Sequence, residues 1–335
     1  MKIGVIGGGS WGTALAKLVA DQGHKTTIWC HSPNRAAEIN EYHENKTYLP
    51  GAKLPETLSA TNELAQACAD ASLIISVVPS HTLRKVMGAA AQYIPFGVPI
   101  LSATKGIEND SLMTMSEVIE DVLPVHCHPY IAYLGGPSFA KEVAARLPTA
   151  VVVAAHSEKL ARNVQEIISA DFFRVYTSID VVGVEFGGAL KNVIAIAAGA
   201  ADGMGLGTNS RAGMVTRGLA EISRLAVRRG ANPLTLSGLS GMGDLVLTCY
   251  GALSRNRTVG YKLGTGMKLA DILAEMKMVA EGVKTAKSAH DLAKKLNCET
   301  PITDQVYEVL YHDKSAVEAV TDLMSRDLKR EREPY

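Results

Sequence analysis

Residues 2–20 read as a strand, a glycine turn and a helix: Lys2-Ile-Gly-Val-Ile6, then Gly7-Gly-Gly9-Ser-Trp-Gly12, then Thr13-Ala-Leu-Ala-Lys-Leu-Val-Ala20. A chain with 30 glycines produces GxGxxG patterns by chance. Position gives this one its weight, because it follows a β-branched apolar run and opens an amphipathic helix. In such a turn Gly7 permits the tight bend and Gly9 lets backbone approach a pyrophosphate. Gly12 lets helix and strand pack closely, and the helix N-terminus directs free N–H groups at phosphate. The sequence thus begins as a dinucleotide-binding βα unit.

At 335 residues the chain exceeds one ordinary core, which predicts two domains. From residue 1 to 178, short β-rich runs alternate with helical patterns. The expected strands are Ile3–Ile6, Thr26–Trp29, Leu73–Val78, Pro99–Ala103, Tyr130–Leu134, Ala150–Ala154 and Arg174–Tyr176. Helices such as Leu83–Tyr93 and Leu160–Ser169 lie between them. That alternation is the mark of a doubly wound, mainly parallel sheet, so the fold class is α/β. Over 179–335 the strands stop, and Leu269–Met276, Ala286–Leu296, Thr303–Tyr311 and Ala316–Met324 read as amphipathic helices. A Rossmann-type domain at 1–178 followed by an all-α domain at 179–335 is the expected organisation. The tail Lys329–Tyr335 is expected to fray.

Charge narrows the partners. Lysine plus arginine and aspartate plus glutamate each number 34, so no basic footprint for nucleic acid or an anionic membrane exists. An anionic substrate must be held by a local cation cluster. The longest apolar stretch, Phe186–Ala201, contains Lys191 and Asn192 and is shorter than a membrane span. A strand starting at residue 2 leaves no room for a signal peptide. Five scattered cysteines without CxxC suit reduced thiols in the cytoplasm. His126-Cys127-His128 has no partnering ligand cluster and reads as a loop, so no metal is expected.

Four further segments carry chemistry. Lys191, in Gly187-Gly-Ala-Leu-Lys-Asn-Val-Ile194, is the only charged side chain from Phe186 through Ala201. Its helical neighbours Gly187, Gly188 and Ala195 are small and would leave a hollow beside the ammonium. Burial there would lower its pKa toward a catalytic range; the bland alternative is a lysine reaching solvent at a helix end. Lys105, in Ala103-Thr-Lys-Gly106, follows a strand, where doubly wound folds place ligands. Standing alone it would read as a surface lysine. Gly135-Gly-Pro-Ser138 offers backbone N–H groups and a hydroxyl to an anion, as an ordinary strand-to-helix turn also would. Gly241-Met-Gly-Asp244 precedes Ser254-Arg-Asn-Arg257, where arginine suits bidentate phosphate recognition and Asp244 suits orienting a lysine or a hydroxyl. An isolated SRNR is otherwise a polar turn. The set suits hydride transfer to or from a small phosphorylated alcohol or ketone.

The segments GGGSWGTALA, SATKGIE, GGPSFAKEV, GALKNVIAIAAG, GMGDLVLTC and SRNR occur in that order over nearly the full length. In this combination the chain closely resembles the bacterial NAD(P)-dependent glycerol-3-phosphate dehydrogenases. The resemblance implies reversible reduction of dihydroxyacetone phosphate to sn-glycerol 3-phosphate, supplying glycerophospholipid synthesis, by a cytoplasmic homodimer. It implies Ser10 and Trp11 at the cofactor, beside Gly7, Gly9 and Gly12 of the turn, with His31 near the adenine ribose; Arg35, read from the residues alone, is placed to donate to a ribose 2′-phosphate. It places Lys105 against both cofactor and substrate, Gly136 and Ser138 at substrate and Ala140 at cofactor. Lys191 becomes the proton donor and acceptor, with Asp244 its partner and Lys105 also catalytic. Asn192, Thr248, Ser254, Arg255 and Asn256 become substrate contacts, and Arg255, Val279 and Glu281 further cofactor contacts.

Cofactor preference departs from the simplest pattern. An NAD-specific fold places a carboxylate at the end of the second strand for the ribose 2′-hydroxyl. Here Cys30-His-Ser-Pro-Asn-Arg35 follows that strand, and no carboxylate occurs before Glu38. NADPH is therefore expected to serve at least as well as NADH. Two rivals remain on sequence alone: a hydroxyacid or sugar-nucleotide dehydrogenase, which needs cations set for a carboxylate, and a nicotinamide-sensing protein without turnover.

Overall fold

The computed structural model describes residues 1–276 and 280–331. It divides into two compact units. The first comprises residues 1–105 and 113–181, the second residues 106–112 and 182–335.

In the first unit the strands are β1 (Lys2–Ile6), β2 (Lys25–Trp29), β3 (Leu58–Thr61), β4 (Leu73–Ser76), β5 (Ile100–Ser102), β6 (Ile131–Gly135), β7 (Thr149–Ala154) and β8 (Phe173–Ser178). They form one sheet in the order β3-β2-β1-β4-β5-β6-β7-β8. Only β6 and β7 pair antiparallel among the described residues. The helices are α1 (Ser10–Asp21), α2 (Pro33–Tyr42), α3 (Leu64–Cys68), α4 (Ser80–Ala90), α5 (Met115–Val122), α6 (Ala140–Ala144) and α7 (Glu158–Ile168). The order from β3 to β6 is that of a doubly wound nucleotide-binding sheet. Strand β3 escaped the sequence reading because Leu58-Ser-Ala-Thr61 is short and mostly small or polar. Its register against β2, Thr26 opposite Leu58, makes it a strand.

Side-chain alternation drives the packing. Ile3, Val5, Ile75 and Leu101 project to one face and pack with Leu15, Leu18 and Val19 of α1 and Val164 and Ile168 of α7. His126-Cys-His128, expected as a loop, instead lies within a 3₁₀ helix over Val125–Tyr130, with the His128 ring in a hydrogen bond with the Leu123 carbonyl. All five cysteines are unpaired thiols, and burial pushes the Cys30 thiol up to about 11.

The second unit is helical: α8 (Val181–Gly203, its first residue in the first unit), α9 (Gly207–Arg228), α10 (Pro233–Leu236), α11 (Asp244–Tyr250), α12 (Arg255–Gly264), α13 (Leu269–Glu275), α14 (Glu281–Lys295), α15 (Pro301–Tyr311) and α16 (Ala316–Met324). Residues 106–112 join it because Ile107 is buried in its core and the Ile107 carbonyl accepts from the Ser288 hydroxyl at 3.1 Å. Helix α8 extends beyond the apolar stretch read from sequence and is long and apolar enough to cross a membrane. Yet 89% of its most apolar window is buried inside the fold, as in a core helix. Its close neighbour is α12: a Cβ added at Gly260 would sit 1.9 Å from the Ile196 carbonyl oxygen. The described part of the tail does not hang free. Lys329 pairs with Glu299, and the Glu331 carbonyl accepts from Arg217 at 2.9 Å.

Glu221 of α9 caps α15 from outside. Its buried carboxylate accepts from the Ile302 and Thr303 N–H groups at 2.7 and 3.1 Å and from the Thr303 hydroxyl at 3.1 Å. A helix start leaves such N–H groups without intrahelical partners. Burial outweighs these donors and nearby Arg224 and pushes the carboxyl up to about 7. An acid raised on folding releases its proton first in the unfolded chain, so stability falls as pH rises from ~4.5 toward ~7. Glu221→Gln cannot ionise. In urea titrations the stability of the wild type relative to this variant should therefore decrease between pH 5 and pH 7. A gap independent of pH would contradict that reading.

Candidate active site

The glycine turn joins β1 to α1. Gly7 adopts φ +128°, a region open to glycine, and a Cβ there would meet the Val77 carbonyl oxygen at 2.6 Å. A Cβ at Gly12 would lie 1.8 Å from the Gly7 carbonyl oxygen, so the third glycine holds helix against turn. At Gly9 an added Cβ meets nothing within 4 Å. Gly9 is also the N-cap of α1 and has no side-chain cap, so the positive end of the helix dipole lies at this turn. These features fit a dinucleotide pyrophosphate. Gly12→Ala should displace the turn and cost about 1–3 kcal/mol, as overpacking does, visible as a lower unfolding midpoint.

Other predicted residues of the first unit fall into two groups. Ser10 donates its hydroxyl to the Tyr48 carbonyl at 2.6 Å, and Trp11 packs partly buried on the core. His31 is exposed just past β2, and Arg35 lies in the first turn of α2. The second group stands at the carboxyl ends of β5 and β6, which are neighbouring parallel strands. Here the Gly136 carbonyl accepts from the Lys105 ammonium at 3.3 Å and from the Ser138 hydroxyl at 3.1 Å. Thr104 anchors the Lys105 loop by donating to the Val78 carbonyl at 2.8 Å. Ala140 opens α6. Parallel pairing thus gathers Lys105 with Gly136 and Ser138, more than thirty residues further along the chain, into one cluster.

In the second unit Lys191 is buried, and its ammonium pairs with the fully buried carboxylate of Asp244. The sequence suggested a hollow beside Gly187. Backbone fills it instead: a Cβ at Gly187 would sit 2.3 Å from the Ser240 carbonyl oxygen. That carbonyl belongs to a single π-helical turn, Leu239–Gly243, which leads directly into Asp244 at the start of α11. Glycine at 187 therefore lets the turn approach α8 and brings the carboxylate to the lysine. Thr248, one turn along α11, donates to the Asp244 carbonyl at 2.6 Å.

The SRNR segment separates into different tasks. The Ser254 hydroxyl caps α12 by accepting from the Arg257 N–H at 3.2 Å. Buried Asn256 donates to Asn192 Oδ1 at 2.9 Å and accepts from the Gly282 N–H at 2.9 Å, tying α8, α12 and α14 together. Arg257 pairs with Asp202, which also accepts from Arg211 Nε at 2.6 Å. Arg255 alone of the four is exposed, at the first turn of α12, where the helix dipole also favours an anion. Glu281 opens α14, while Val279 lies outside the described residues. Sequence reasoning missed Asp202, whose two arginine partners come from other helices. It also missed Asn45, whose buried amide donates to the Gly8 carbonyl at 2.9 Å.

Comparison with known proteins shows the family. Residues 2–161 match the family model for the N-terminus of NAD-dependent glycerol-3-phosphate dehydrogenase, and residues 180–321 match the model for its C-terminus. The chain is 56% identical over 330 residues to glycerol-3-phosphate dehydrogenase [NAD(P)+] of Citrifermentans bemidjiense, covering 98% of each chain. It is 56% identical over 331 residues to the Myxococcus xanthus protein of the same name, covering 99% of each. Among solved structures, glycerol-3-phosphate dehydrogenase of Coxiella burnetii is similar with a TM-score of 0.92 at 38% identity, over 97% of this chain and 99% of that one.

Proposed function

This chain belongs to the NAD(P)-dependent glycerol-3-phosphate dehydrogenases, and on that premise we propose that it reduces dihydroxyacetone phosphate reversibly to sn-glycerol 3-phosphate with Lys191 as the proton donor. The observation that carries the residue assignment is the buried Lys191–Asp244 pair, an ammonium placed in a nearly dry site by a carboxylate with no exposure of its own. A nicotinamide dinucleotide held by the glycine turn would supply the hydride for reduction of the ketone and accept it in the reverse direction. Lys191 gives its proton to the oxygen as the carbonyl becomes an alcohol, and recovers one from the hydroxyl in the reverse direction. Asp244 orients the ammonium and balances its charge, which a lone buried lysine would lack.

Gly7, Gly9, Ser10, Trp11 and Gly12 hold the dinucleotide, with His31 and Arg35 at the ribose end. Ala140, Val279, Glu281 and Arg255 contribute further cofactor contacts. Lys105, Gly136 and Ser138 line the substrate, as do Asn192, Thr248, Ser254 and Asn256. Arg255, exposed beside a helix N-terminus, grips the substrate phosphate, and that remote binding energy holds the carbonyl in register. NADPH serves at least as well as NADH. The enzyme acts in the cytoplasm as a homodimer and feeds glycerophospholipid synthesis.

The test is cofactor oxidation followed at 340 nm with NADPH and with NADH. Dihydroxyacetone phosphate should be turned over, while dihydroxyacetone and 2-oxo acids should not. Turnover of a 2-oxo acid in its place would overturn the assignment. So would nucleotide binding with no turnover of any ketone.

A further inference from the structure

In doubly wound folds the adenosine ribose lies beyond the carboxyl end of the second strand, where a carboxylate reads the 2′-hydroxyl or an arginine accepts a 2′-phosphate. Here β2 ends at Trp29, and both kinds of group follow on α2, Arg35 in its first turn and Glu38 three residues on. The Arg35 guanidinium donates through Nη1 to Glu38 Oε2 at 2.8 Å and also to the Thr47 hydroxyl, and lies 5.1 Å over the Tyr48 ring. The second Glu38 oxygen accepts from the Lys46 N–H at 3.1 Å. Side-chain exposure is 20% for Arg35 and 25% for Glu38, so the pair is only partly screened by water.

The segment that carries these partners is fastened to the glycine turn. Asn45, with no exposure, donates to the Gly8 carbonyl at 2.9 Å and to the Thr13 hydroxyl at 2.8 Å, and its Oδ1 accepts from the Tyr48 N–H at 3.2 Å. Ser10 closes the circuit by donating to the Tyr48 carbonyl. Arg35 and Glu38 are thus held in register with the pyrophosphate turn rather than with a loose surface loop.

We propose that Glu38 sets the balance between the two nicotinamide cofactors by holding and neutralising Arg35, an inference that rests on the dehydrogenase reading given above. A 2′-phosphate must share Arg35 with Glu38 and bear the repulsion of a nearby carboxylate. A 2′-hydroxyl meets neither cost. The chain therefore carries a cation for NADPH whose pull Glu38 tempers, which keeps NADH usable. The first carboxylate after β2 is a specificity-determining residue that acts through the arginine.

Glu38→Gln tests this because it keeps the shape and the acceptor for Lys46 while removing the charge. Binding is measured without substrate by titration calorimetry, using NADPH, NADH, adenosine 2′,5′-bisphosphate and adenosine 5′-monophosphate. The ratio of NADPH to NADH affinity should rise about 3- to 10-fold, the span of a partly exposed charge pair, and the two fragments should show the same shift. In the Arg35→Ala background the same substitution should move the ratio much less. An unchanged ratio in Glu38→Gln would overturn the proposal and leave the pair a structural contact. Weaker NADH binding with NADPH unaltered would also overturn it, making Glu38 a direct acceptor for the ribose hydroxyl. Failure of the wild type to bind either dinucleotide is a different result, because it would sink the dehydrogenase reading together with the proposal.

Discussion

Lys191→Met is expected to lower kcat by at least about 10²-fold, the usual contribution of a positioned general acid. The substitution keeps the volume of the side chain and removes its proton. It also leaves Asp244 as a fully buried carboxylate without its cation, which costs about 3–5 kcal/mol in comparable sites. The single variant will therefore melt early. Lys191→Met combined with Asp244→Asn removes both charges and should recover much of that stability while turnover stays lost. Cofactor binding, followed by fluorescence, should survive in the double variant, because the glycine turn belongs to the other unit. Retention of more than a tenth of the wild-type kcat in that double variant would transfer the acid role to Lys105.

Arg255→Ala should raise KM for dihydroxyacetone phosphate roughly 10- to 100-fold, the loss of about 1.5–3 kcal/mol for hydrogen bonds to a charged group. Inorganic phosphate should compete with substrate in the wild type and much less in the variant. Arg257→Ala provides the contrast. That arginine is committed to Asp202 alongside Arg211, so its loss should lower the unfolding midpoint and leave phosphate inhibition in place. Equal phosphate inhibition of wild type and Arg255→Ala would show that the grip lies elsewhere.

Much of this was legible in the chain because it depends on neighbours in sequence. The glycine turn, the alternation of strands and helices, and a single lysine in an apolar helix are local patterns, set by backbone freedom and side-chain period. Each of the strands read from sequence is present within a few residues. The exception, β3, has little hydrophobic pattern and becomes a strand only by pairing with β2. The site is less local. Lys191 stands out in sequence, but the hollow expected beside it is filled by the backbone of the Leu239–Gly243 turn. Nothing within the segment itself could indicate a carbonyl arriving from that distance.

What the sequence alone determined, then, is which residues are candidates for the chemistry and on which kind of element they ride. Tertiary structure decided their partners. It joined Lys105 to Ser138 through the Gly136 carbonyl, and Lys191 to a carboxylate 53 positions later. It left Arg255 of SRNR at the surface and set Arg257 against Asp202. It drew residues 106–112 out of the first unit by burying Ile107 in the second, and set Glu38 against Arg35 and Lys46 together. The physical reason is common to all of these. Propensity and periodicity act over a few residues, whereas a buried charge or an unsatisfied N–H takes whichever complementary group the packing brings within about 3 Å, whatever its distance along the chain.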